Sequence, residues 1–110
     1  MNSSQTLTND QIAKRLDRLA QLFKMGQASD LMAKTLDKLF AHETQQSLYA
    51  LEQLQVDLAE FEAQYRMSST EFYRQYQAGE TDDRMDYVEW ASLVQMADNL
   101  QSRIDVLMSE

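Results

Sequence analysis

Leu51-Glu52-Gln53-Leu54-Gln55-Val56-Asp57-Leu58-Ala59-Glu60-Phe61-Glu62-Ala63-Gln64-Tyr65 carries its large apolar residues at 51, 54, 58, 61 and 65. Steps of 3, 4, 3 and 4 place all five on one face of an α-helix. Further along, Trp90, Leu93, Ala97, Leu100, Ile104 and Leu107 repeat the same steps, and Tyr87, Val94 and Met108 widen that second seam. Each seam is too short for an independent coiled coil. A single amphipathic helix is also marginal in water, so each needs an apolar partner. Two seams of matching length predict an antiparallel pair of long helices.

Working outward, the composition agrees with helices. The 110 residues include two glycines, no proline and no cysteine. Average usage puts roughly a dozen Gly and Pro in a chain of this length. Two are too few for a fold of many short strands and tight turns. The lack of cysteine removes disulfide scaffolds, zinc fingers, iron–sulfur sites and thiol nucleophiles. No apolar run approaches a membrane span, and the opening Met1-Asn2-Ser3-Ser4-Gln5-Thr6 lacks the basic and apolar parts of a signal peptide. A cytoplasmic protein without a membrane partner or cofactor is the expectation.

Capping signals divide the chain. Thr8 with Gln11 three residues later reads as a capping box, followed by Ile12, Leu16, Leu19 and Phe23 on one face. Gly26 suits the left-handed position after a helix. Ser29 is the next N-cap, and Leu31, Met32, Thr35, Leu36, Leu39 and Phe40 form the following inner face. The polar run His42 to Ser47 marks a kink or an exposed stretch. Ser68-Ser69-Thr70-Glu71 reads as a second capping box, Gly79 as a stop, and Thr81, Asp82 or Asp83 as the cap after it. Gln5-Thr6-Leu7-Thr8 has the makings of a very short strand. The reading is all-α, an elongated hairpin or bundle of four helices over 8–25, 29–66, 69–78 and 83–108. A thin core predicts a homodimer as well.

Charge is unevenly spread. The net −8 is the sum of +2 over residues 1–40 (six basic, four acidic) and −10 over 41–110 (four basic, fourteen acidic). Such a split suits different partners at the two ends. It predicts an N-terminal helical hairpin, 1–43, for dimerisation or DNA contact, and an acidic hairpin, 44–110, for partner binding. Helix pairs recur in DNA-binding dimers, and Lys14, Arg15 and Arg18 are the candidate phosphate contacts. The rest of the chain is too acidic for nucleic acid.

No catalytic or metal constellation stands out. His42 is the lone histidine. Asp82-Asp83-Arg84-Met85-Asp86 matches a DDxxD magnesium pattern, but acids also suit a helix N-terminus. Glu60 and Glu62 point to different helix faces. Asp86 and Glu89 share one, beside Tyr87 and Trp90, and read as an acidic, aromatic contact patch. An enzyme is not expected.

Residues 58–72, Leu58-Ala59-Glu60-Phe61-Glu62-Ala63-Gln64-Tyr65-Arg66-Met67-Ser68-Ser69-Thr70-Glu71-Phe72, precede Ala78-Gly79-Glu80, Asp83, Asp86 and Glu89-Trp90. This half of the chain resembles a family of small helical proteins, common in cyanobacteria, that look like antitoxins of toxin–antitoxin gene pairs. The family often shows Gly where Arg66 stands, which implies a softer break before Met67 here. The resemblance implies that the acidic end wraps and neutralises a basic toxin, while the other end dimerises or binds operator DNA. Asp82, Asp83, Asp86 and Glu89 would steer association. Phe72, Tyr73, Tyr76, Tyr87 and Trp90 would supply anchors. The rival expectation is a helical adaptor that self-assembles without a toxin.

Overall fold

The computed structural model describes residues 6–110. Four helices follow in order: α1 (Asn9–Lys24), α2 (Asp30–Tyr65), α3 (Ser69–Gln77) and α4 (Met85–Met108). Every expected helix is present, with ends within two residues of those read from the sequence. Thr6, Leu7 and Thr8 have no regular structure, so the short strand is absent among the described residues, and Gln5 lies outside them.

Three helices end in the same way. After α1, Gly26 takes φ 69° and the Gln27 amide donates to the Leu22 carbonyl at 2.8 Å. After α3, Gly79 takes φ 72° and the Glu80 amide donates to Gln75 at 2.9 Å. After α2, Arg66 takes φ 53° and the Met67 amide donates to Glu62 at 3.2 Å. These are Schellman closures, and the third forces an arginine into the left-handed region. The break before Met67 is therefore as sharp as at a glycine, not softer.

The starts differ. Thr8 and Gln11 form the full reciprocal capping box. The Ser29 hydroxyl accepts from the Met32 amide at 3.2 Å. Ser68 accepts from the Glu71 amide at 3.1 Å, but the Glu71 carboxylate does not reach back. It takes Arg74 and Gln75 instead, and Glu62 from the end of α2 receives the Ser69 amide at 2.8 Å. The N-cap of α4 is Arg84, with no side-chain cap. Asp82 accepts from its amide at 3.1 Å, so none of Thr81, Asp82 and Asp83 caps the helix directly.

α2 runs unbroken through 42–47, and most of His42 to Gln46 is exposed, as one of the two readings expected. Ser47 falls on the same face as Leu51, Leu54 and Leu58, and it is buried. A small side chain there keeps the seam continuous through a stretch that looks polar in sequence.

Internal contacts divide the chain into Met1–Leu39 and Phe40–Glu110, with the boundary inside α2. In the first unit, α1 buries no residue. In the second, α2 and α4 pack antiparallel. Asp86, near the start of α4, bonds Tyr65 and Gln64 at the end of α2, whereas Arg103 pairs with Glu43. α3 closes the end. The core there is Phe72, Trp90, Ala91 and Val94, against Leu58, Phe61, Tyr65 and Met67.

Candidate partner-binding surface

Asp57, Glu60 and Gln64 step by 3 and 4 along α2, and Asp86 and Glu89 step by 3 along α4. Such spacings put each set on one helix face. Antiparallel packing turns the two faces toward each other around a cleft of about 350 Å³, floored by Phe61. Four carboxylates line it and no cation does.

Asp86 is the fixed member. Its Oδ2 accepts from the Tyr65 hydroxyl at 2.5 Å and from Gln64 Nε2 at 3.3 Å. The bond to Asp86, then burial, pushes the Tyr65 hydroxyl above its ordinary pKa, since the neutral phenol is the donor. Asp57, Glu60 and Glu89 remain exposed. Unpaired like charges in one cleft repel, and a cationic partner relieves that repulsion.

The expected anchors fall into three groups. Trp90 and Phe72 are 0% and 1% exposed. Their rings stack at 3.9 Å and 2°, and the Trp90 indole N–H donates to Ser69 Oγ at 2.9 Å. They form the chain's own core and present no anchor to a partner. Tyr73, Tyr76 and Tyr87 are half-buried. Tyr87 packs edge-on to Tyr65 at 5.1 Å, and the Arg84 guanidinium lies 4.6 Å over its ring. Tyr73 lines a separate cleft of about 370 Å³ with Leu58, Thr70 and Val94.

The expected acids also separate. The chain matches no known protein family, no curated protein and no solved structure. Site assignment therefore rests on this geometry. Asp86 and Glu89 belong to the cleft, together with Asp57 and Glu60. Asp82 is held by Arg84 through two bonds of 2.9 and 2.8 Å, which lower its pKa to about 2. Its carboxylate is thus already paired with a cation of its own chain. Asp83 is exposed outside the cleft. Glu71 likewise sits at about 2 because Arg74 and then Gln75 donate to its carboxylate. Among the described residues, no three His, Cys, Asp or Glu side chains converge as metal ligands. No helix among them is long and apolar enough to cross a membrane.

Asp57 and Glu60 were not singled out as partner contacts by the sequence reading. Their steps with Gln64 were visible, but their closeness to Asp86 and Glu89 depends on the register of α2 against α4. In the other unit, Lys14, Arg15 and Arg18 line one shallow strip of α1 with Leu7 and Gln11.

Proposed function

We propose that this chain is a non-enzymatic binding protein whose acidic hairpin receives a basic protein partner. The observation that carries this is the four-carboxylate cleft of Asp57, Glu60, Asp86 and Glu89, which no lysine or arginine lines. Clustered carboxylates with unpaired charge speed encounter with a cationic surface and select against acidic ones. The resemblance of residues 58–90 to antitoxins makes a basic toxin the partner of choice, masked when the cleft engages it.

The test is co-expression with the neighbouring gene. Its product is expected to be toxic alone, harmless with this chain, and co-purified with it. Asp57→Asn/Glu60→Gln/Glu89→Gln removes three charges and is expected to weaken that complex roughly tenfold or more, with a flatter salt dependence. A harmless neighbour that does not bind overturns the antitoxin reading. A self-assembling adaptor is the second reading, favoured by the apolar face that α1 leaves uncovered.

A further inference from the structure

α2, α3 and α4 meet around a cleft of about 370 Å³ that shares no lining residue with the acidic cleft. Half-buried Leu58 of α2 and buried Val94 and half-buried Ala97 of α4 give it an apolar lining. Ser69, Thr70 and Tyr73 of α3 add three hydroxyls, and Asp98 of α4 adds a single carboxylate. Apolar lining with a few polar groups, at a junction between helices, is the usual form of a small-molecule site. The volume lies near the lower end for such sites, which suits an occupant of about one ring and a short tail.

The polar groups select the charge of that occupant. The amides at the start of α3 are already taken. Ser69 N–H donates to Glu62 at 2.8 Å, and the Glu71 amide donates to Ser68 Oγ at 3.1 Å. An anion therefore finds no open helix start and meets the Glu62 carboxylate beside it. Residues 41–110 also carry −10, from four basic and fourteen acidic residues, a field that repels anions and draws cations. Asp98 is exposed, and none of the ion pairs among the described residues includes it. A metal ion does not suit the cleft, because magnesium and calcium take about six oxygens or more and favour several carboxylates. An organic ammonium does. Its N–H groups can donate to Asp98 and to the hydroxyl oxygens of Thr70 and Tyr73. Its apolar body has Leu58, Val94 and Ala97 to cover, and Tyr73 adds an aromatic surface.

We infer that the cleft between α2, α3 and α4 binds a small protonated amine with a single-ring apolar body, its ammonium paired with Asp98. The inference does not rest on the toxin reading, since the acidic cleft contributes no residue to this site.

Trp90 is the only tryptophan, and its indole N–H donates to Ser69 Oγ at 2.9 Å, so its emission reports on the cleft lining. Titration of the full chain with phenethylamine, followed by Trp90 fluorescence and by NMR chemical shifts, tests the inference. Saturable binding is expected with a Kd of about 1 mM or tighter, and with shifts centred on Tyr73, Val94 and Asp98. Phenethyl alcohol, of the same shape without the charge, is expected to bind about threefold to tenfold more weakly, and phenylacetate more weakly still. Asp98→Asn is expected to reduce amine affinity to that of the alcohol, with helix content unchanged by circular dichroism. Glu60→Gln/Glu89→Gln, in the acidic cleft, is expected to leave amine affinity within about twofold at physiological ionic strength. No saturable binding of the amine up to about 10 mM overturns the proposal. So does an amine that binds no tighter than the alcohol, full affinity in Asp98→Asn, or a set of shifts centred on the acidic cleft. Failure of every neighbouring gene product to bind leaves these titrations unaltered and bears only on the antitoxin reading.

Discussion

Arg66 occupies a backbone position that its neighbours in role give to glycine. Gly26, Gly79 and Arg66 all have φ between 53° and 72°, and after each the next residue's amide donates back to the carbonyl five residues earlier. A Cβ in the left-handed region costs about 1–2 kcal/mol. Nothing lies within 4 Å of a Cβ built on Gly26 or Gly79, so the cost there is conformational rather than steric. Arg66→Gly is therefore expected to raise the unfolding free energy by about 0.5 kcal/mol, once the freedom glycine adds to the unfolded chain is deducted. Gly79→Ala is expected to lower it by about 1 kcal/mol. Urea titrations read both as midpoint shifts at constant slope. A destabilising Arg66→Gly would show that the arginine side chain makes a contribution larger than its backbone strain.

At the scale of elements, Ser47 is the residue that α2 buries most completely. It is 4% exposed, on the α2 face that also carries Leu51, Leu54 and Leu58. Ser47→Leu inserts three further carbons into a closed seam and is expected to cost about 1–3 kcal/mol. Ser47→Ala, of nearly the same volume, is expected to stay within about 1 kcal/mol of wild type. If thermal unfolding shows the leucine tolerated, the seam is looser at 47 than its burial indicates. The same residue marks where sequence patterning stops being informative. Large apolar residues at steps of 3 and 4 revealed four helices and the antiparallel pair, because periodicity reports burial directly. A serine buried for its smallness has the signature of an exposed one. Arg66 hid a left-handed turn for a related reason, since composition signals that conformation only through glycine. Phe72 and Trp90 were legible as large aromatics beside acids, a pattern shared by interfaces and cores. Only the α3–α4 packing resolves it, by stacking their rings inside the chain. Asp57 and Glu60 needed the register between two helices, which no single helix encodes.

Across the whole molecule, stability is concentrated where burial is. α4 buries Trp90, Ala91, Val94 and Ile104, and α3 buries Phe72, whereas α1 buries nothing. Truncating a buried aromatic such as Phe72 to alanine costs about 3–5 kcal/mol, so the aromatic end holds the Phe40–Glu110 unit together. α1 has its capping box and Schellman closure, each local and each worth about 1 kcal/mol, against a nucleation cost that leaves short isolated helices marginal. Amide exchange should therefore split the chain. At low protein concentration, amides of Asn9–Lys24 are expected to exchange through local opening, at least tenfold faster than those around Trp90 and Val94 in α4. On the homodimer expectation, raising the concentration should slow α1 exchange and leave α4 nearly unchanged. Uniform protection at all concentrations would mean that α1 is stabilised within its own chain, and the apolar stripe from Ile12 to Phe23 would then need no partner.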